Sequence, residues 1–250
     1  MIPEFFRLQD KVAVVTGAGN PLARAIGEAL AEAGANVVAV SHRAEAAQAL
    51  AASARGHGRQ SLAVTADMTR AADVRRVAQE ATRRFGKMDI LLAGEDAVLA
   101  GPLGDTLEDQ WDSVMSVNAK SVFLCSQVLG REMVSKGSGR IIVLAHALGI
   151  GGVPNTTAYS ASKGAVLQFV RSLGLEWATT GVTVNAIATG WFAEGWDDPS
   201  QGDPLAHFNP MRRRGQPEEL GPVAVYLASD VAAYVTASVC VVDGGQICHG

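Results

Sequence analysis

Val12-Ala-Val-Val-Thr16 runs into Gly17-Ala-Gly-Asn20, then Pro21-Leu-Ala-Arg-Ala-Ile26, and after Gly34 the chain continues as Asn36-Val-Val-Ala-Val40. The first run is short and apolar throughout, as a central parallel strand covered on both faces must be. The glycines make a turn. Pro21 suits a first helical turn, where its missing N–H is no loss. Leu22, Ala25, Ile26, Ala29 and Leu30 give an amphipathic helix that Gly34 ends. The second apolar run is the next strand. Strand, tight turn, helix and strand at this length form a βαβ unit of the dinucleotide-binding kind.

The alternation continues outward. Ala44–Ser53 predicts a helix, Ser61–Ala66 a strand, Ala72–Phe85 a helix closed by Gly86, and Met88–Leu92 a strand. Helices are expected over Asp112–Lys136 and Thr157–Thr180. Strands are expected over Arg140–Ala145, Thr183–Ala188 and Val239–Val242, with another helix opening at Pro217. The expected fold is α/β: one Rossmann-type, doubly wound parallel sheet with helices on both faces. At 250 residues and 48% hydrophobic, the chain (1–250) reads as a single domain able to bury a full core. It shows no repeat, linker or low-complexity tract.

Composition excludes several classes. A net charge of −4 is not that of a nucleic-acid surface. Cys125, Cys240 and Cys248 are odd in number and lack metal-ligand spacing, so no metal site and a reduced, cytoplasmic setting are expected. The start Met-Ile-Pro-Glu-Phe-Phe-Arg lacks the features of a signal peptide, and no apolar run reaches membrane-spanning length.

Tyr159-Ser-Ala-Ser-Lys163 carries the chemistry. Tyr159 and Lys163, four residues apart on a helix, lie on one face. A free Tyr has a pKa of ~10, and a cation held close favours its phenolate. Such a pair is suited to relaying a proton between an alcohol and a ketone.

With Thr16-Gly-Ala-Gly19, Asp67, Asn118 and Asp243-Gly-Gly245 around that pair, the chain resembles the short-chain dehydrogenase/reductase (SDR) family from about Leu8 to Gly245. The resemblance implies a seven-stranded sheet. It makes Tyr159, Lys163 and Asn118 catalytic, with Asn118 opening a helix kink and holding a water of the relay. It also implies a nicotinamide cofactor, NAD or NADP, at Gly17, Asn20, Leu22, Arg43, Asp67, Met68 and Gly190. Arg43 tilts the choice towards NADP, since a basic residue there suits a 2′-phosphate. Asp67 and Met68 would contact adenine; the alternative for Asp67 is an N-cap or turn residue.

Several positions depart from the family pattern. Pro21 and Ala23 stand where the family has its second and third glycines, and Pro21 removes a backbone donor beside the expected diphosphate. Ala93-Gly-Glu-Asp96 replaces Asn-Asn-Ala-Gly, bringing Glu95 and Asp96 close to a dianionic group unless both point to solvent. His146, 13 residues before Tyr159, falls at the catalytic Ser. It either donates a hydrogen bond in place of that Ser or plugs a disused site. Thr189-Gly190 replaces Pro-Gly, Glu194 replaces a cofactor-contacting Thr, and Val235-Thr-Ala237 replaces Val-Thr-Gly.

The variable loop, about 189–215, covers the substrate in the family. Its Trp191, Phe192, Trp196 and Phe208 line a pocket or pack the loop down. Arg212-Arg-Arg214 is an anion site, for a coenzyme A ester among others, or a solvated charge run. In the family, the helices at about 112–136 and 157–180 form a four-helix interface. Ala161, Gly164, Ala165 and Gly174 would let helices approach there.

Three functions are expected from these residues. The first is an SDR-fold subunit, cofactor-free or catalytically impaired, paired with an active SDR paralogue in a tetramer. It resembles the degenerate partner in hydroxyacyl-coenzyme A dehydrogenases of the benzylsuccinyl type. The second is an active NAD(P)-dependent reductase using Tyr159 and Lys163, with His146 for Ser, on a ketone, 3-oxoacyl or sugar-acid substrate. The Phe5-Phe-Arg-Leu8 start and Trp191-Phe192 resemble gluconate-type dehydrogenases. The third is a nucleotide-sensing regulator. Each takes a small-molecule ligand and uses neither nucleic acid nor a membrane.

Overall fold

The computed structural model describes residues 3–193 and 209–248. Seven parallel strands form one sheet in the order β3-β2-β1-β4-β5-β6-β7. They are β1 (Val12–Val15), β2 (Asn36–Ser41), β3 (Ser61–Thr65), β4 (Ile90–Ala93), β5 (Gly139–His146), β6 (Val182–Thr189) and β7 (Val239–Val242). The order reverses between β1 and β4. That is the switch point at which an open α/β sheet leaves a crevice beyond its strands' carboxyl ends.

Strand periodicity divides the core. Val12 and Val14 face one side, with the apolar faces of α3 (Ala71–Phe85), α5 (Ser121–Cys125) and α7 (Thr157–Glu176). Ala13 and Val15 face the other, with α1 (Pro21–Glu32), α2 (Ala44–Gly56) and α8 (Gly221–Ala228). Burial on both faces explains why β1 and β4 lack polar alternation.

Some helices differ from expectation. The helix expected from Asp112 begins at Glu108 and is broken in two places. α4 (Glu108–Met115), α5 and α6 (Arg131–Lys136) are joined by π-helical turns at Ser116–Lys120 and Ser126–Gly130. Asn118 sits inside the first, so the kink is present. α7 stops at Glu176, short of Thr180, and Gly181 turns the chain into β6 at φ 80°. Pro217–Leu220 is a 3₁₀ turn leading into α8.

Among the small residues of α7, Gly174 has a reason within the chain itself: a Cβ there would lie 2.7 Å from the Ala237 backbone. One on Gly164 would meet the Gly149 carbonyl at 3.5 Å, an ordinary contact. Ala237 itself sits at φ 57°, in the left-handed region. An alanine there costs roughly 1–2 kcal/mol, partly offset by the greater chain entropy that a glycine loses on folding. Ala237→Gly is therefore expected to raise the unfolding free energy by about 0.5–1 kcal/mol in urea titrations.

Candidate active site

The site lies at the carboxyl ends of β1, β4, β5 and β6. Gly17, at φ 68°, has the Gly94 carbonyl where a Cβ would stand, 2.2 Å away. Gly94 in turn has the Ala23 Cβ and the Thr16 carbonyl where its own Cβ would stand. The β1–α1 turn and the turn after β4 are thus in backbone contact, tied by a 3.2 Å bond from Gly94 N–H to Thr16 Oγ1.

Several donors of the first turn are engaged within the chain. Gly17 N–H donates to Glu95 Oε1 at 2.9 Å. Asn20 is the N-cap of α1 and its Oδ1 accepts from Leu22 N–H at 2.9 Å. Pro21 has no donor to give. Arg43 donates to the Gly19 carbonyl at 2.9 Å, folding over the turn that it was expected to flank. Glu95 and Asp96 therefore do not both point to solvent. A diphosphate approaching Gly17 along the usual route would meet the Glu95 carboxyl first.

Asp96 turns towards α7. Its Oδ1 lies 2.9 Å from Lys163 Nζ, and its Oδ2 accepts from the Tyr159 hydroxyl at 3.3 Å. Lys163 is 2% exposed, so its ammonium requires a partner. The same ammonium lies 5.5 Å from the Tyr159 ring centroid.

Asn118 sets this arrangement. Its Oδ1 accepts from Ala97 N–H at 2.7 Å, and its Nδ2 donates to the Ala97 carbonyl at 3.0 Å and to Ser162 Oγ at 2.9 Å. The amide clamps the residue after Asp96 in both directions. Both amide protons are used on that clamp and on Ser162, while the amide oxygen keeps a second lone pair. Ser162 donates to the Tyr159 carbonyl at 2.7 Å, joining the clamp to α7. Sequence reasoning does not single out Ser162. Its place three residues after Tyr159, on the same helical face, is the available signal.

His146 closes the other side. Its Nδ1 accepts from Leu148 N–H at 3.0 Å, so a neutral ring carries its proton on Nε2. Its ring meets Tyr159 at 5.5 Å and Trp191 at 5.1 Å between centroids, edge to face in both cases. Burial, reinforced by the nearby Lys163 charge, lowers its pKa to about 4. A neutral imidazole thus fills the space between the phenol and the variable loop.

The remaining expected residues take other roles. Asp67 Oδ1 accepts from Thr69 N–H and Thr69 Oγ1, which is a turn-capping role. Met68 is buried in the core beneath the sheet end, not displayed for an adenine ring. Gly190 admits Asp243, whose Cα would lie 2.7 Å from an added Cβ. Phe192 packs the loop down against the core. Arg213 is bidentate to Glu219 at 2.7 Å in an exposed surface pair. Glu194, Trp196 and Phe208 lie outside the described residues. No group of acidic, His and Cys side chains among the described residues has metal-binding geometry, and no described helix is long and apolar enough to cross a membrane.

The chain belongs to the short-chain dehydrogenase/reductase family. The family pattern described as enoyl-(acyl carrier protein) reductase matches residues 17–246. The D-threitol dehydrogenase of Mycolicibacterium smegmatis is 36% identical over 245 residues, 96% of this chain and 94% of that one. A 2-dehydro-3-deoxy-D-gluconate 5-dehydrogenase of Pseudoalteromonas atlantica is also 36% identical, over 97% of this chain and 98% of the relative. A crystal structure of gluconate 5-dehydrogenase from Burkholderia cenocepacia, in complex with NADP and tartrate, superposes with a TM-score of 0.91 at 32% identity. That match covers 97% of each chain. The family is one of oxidoreductases, and its structural neighbours include NAD- and NADP-bound enzymes.

Glu95 is the titrating group of this SDR cleft. Burial pushes its pKa up to about 7, against the Gly17 hydrogen bond, which lowers it, and with the charges of Asp67 and Asp96, which raise it. Because the folded pKa lies above the unfolded value of 4.5, the folded state holds the proton longer. The stability this confers is complete below that unfolded value and is lost as pH rises through about 7. Relative to Glu95→Gln, the natural chain is expected to lose on the order of 2 kcal/mol of unfolding free energy across that window, read from urea titrations at several pH values.

Proposed function

We propose that this chain is an SDR-fold subunit of an oxidoreductase acting on a secondary alcohol or ketone. In this reading it is cofactor-free or catalytically impaired, and it works beside an active SDR paralogue. The observation that carries the reading is the contact of Asp96 with both Lys163 and Tyr159. In a proton relay, Lys163 lends its positive charge to the phenol. Here a carboxylate neutralises that charge at 2.9 Å.

The cleft supports the same conclusion. The groups that would hold a nicotinamide dinucleotide do not fit one as they stand. Gly17 is bonded to Glu95, Leu22 N–H is capped by Asn20, and Pro21 offers no donor. His146 occupies the space beside Tyr159 where a substrate oxygen would sit. Elsewhere the scaffold is whole, as a chain retained for assembly would require. Trp111 and Phe123 are partly exposed along α4 and α5. A cavity of about 370 Å³ between Phe123, Phe169 and Trp177 would accept a partner's side chains. A paralogue or a second copy would dock there through the α4–α6 and α7 faces.

A second reading, an active NAD(P)-dependent dehydrogenase, is favoured by the convergence of Tyr159, Lys163 and Asn118 in one site. The names of the relatives then point to polyols and sugar acids as substrates. The bidentate Arg213–Glu219 pair leaves a coenzyme A ester less well served, since part of the basic run is already neutralised.

The two readings part on turnover. The purified chain is expected to give no oxidation or reduction with either nucleotide across polyols, sugar acids and 3-oxoacyl esters. Purified from its native cells, it is expected to carry a second SDR chain identifiable by mass spectrometry, and the pair to be active. Turnover by the isolated chain would overturn the first reading and establish the second.

A further inference from the structure

Where the cofactor's anionic and hydroxyl groups would be gripped, the chain has placed two carboxyl groups of its own. The Glu95 oxygen is bound by Gly17 N–H, in the turn that meets a diphosphate in a dinucleotide fold. The Asp96 oxygens lie against Lys163 and Tyr159. Both residues sit on one short segment after β4, pinned at Ala97 by Asn118. We propose that Glu95 and Asp96 form an internal substitute for the dinucleotide, satisfying the groups that would otherwise need it and repelling the nucleotide itself.

This rests on the cofactor-free reading and deepens it by naming the device. Two physical requirements support it. A lysine 2% exposed cannot stay charged without a counter-ion, and Asp96 is the carboxylate paired with it. The Gly17 donor lies in a turn closed by Gly94, where it must find an acceptor, and Glu95 provides one. A bound nucleotide would have to displace both contacts. Its diphosphate would then have to take the place of the Glu95 carboxyl at Gly17 and would free the Asp96 charge from Lys163, so that it meets like charge at short range, most of all above about pH 7 where Glu95 is ionised. Removing the two side chains should therefore create binding, not destroy it.

The test is calorimetric titration of the whole chain with NAD and NADP, oxidised and reduced. Natural chain is compared with the double variant Glu95→Ala, Asp96→Gly and with the isosteric Glu95→Gln and Asp96→Asn. Natural chain is expected to show no saturable binding at about 1 mM nucleotide, and the double variant to bind at least about tenfold more tightly. Nucleotide should raise the melting temperature of the variant and leave that of the natural chain unchanged. If the double variant does not fold, Asp96→Asn and Glu95→Gln carry the test, with the same direction expected.

The outcomes separate the two ideas. If neither natural chain nor well-folded variants bind, the substitute is overturned while the cofactor-free reading stands. If the natural chain binds in the micromolar range and the variants bind about tenfold more tightly, the substitute holds as a brake and the cofactor-free reading falls. Equal tight binding by all overturns both.

Discussion

The site depends on one close approach. Gly17 and Gly94 bring the turns after β1 and β4 so near that neither tolerates a side chain. A parallel sheet whose order reverses between those two strands must bring their carboxyl ends together. The contact then directs the next two side chains. The residue after Gly94 emerges beside Gly17 N–H, and its successor emerges towards α7. In that geometry Glu95 and Asp96 have little choice of partner. Side chains without charge in those places would leave the turn's donor and the buried ammonium open to a ligand.

Lys163 imposes the second constraint. An ammonium almost wholly removed from water is unfavourable unless paired and hydrogen-bonded. Its place in α7 is dictated by the helix, which must pack its apolar face, including Val166, Leu167 and Val170, against the sheet. Lys163 is thus carried into the cleft by its own element and must find its charge partner there. The two π-turns of the neighbouring helix bear on the same point. The first puts Asn118 inside the cleft, where its amide fixes Ala97 and so fixes the reach of Asp96.

Much of this is legible in the sequence. All seven strands are legible, and the central β1 and β4 read as unbroken apolar runs because they are buried on both faces. Gly34 and Gly86 mark helix ends, and both take the positive φ that glycine permits. Tyr159, Lys163 and Asn118 are found by spacing and resemblance, and the structure brings them together. The senses of Glu95 and Asp96 are not legible. In the sequence they read as a repulsive pair or as solvated acids, and nothing local distinguishes these. Their direction is decided by Asn118, which bonds across 21 positions, and by a lysine on a different helix. The break in the long helix at Ser126 and the early end of α7 are also hidden, since apolar periodicity continues through both.

The altered positions share a property that bears on how they arose. A cleft losing its function by drift collects polar side chains without regard to partners, and buried ones are left unsatisfied at a cost of about 1–3 kcal/mol each. Ala237 is strained outside the cleft, but each described polar replacement within it is accommodated. Glu95 has Gly17, Asp96 has Lys163 and Tyr159, and His146 has Leu148 and two aromatic edges. Pro21 occupies the one helical position that needs no donor. Among the described residues, the buried side-chain atoms without a partner are on Ser126, Thr183 and Gln246, none of them a replaced cleft residue. Around Gly17, Tyr159 and Lys163 the cleft is thus tied into the fold by its own polar contacts, and these stabilise the chain as core contacts do.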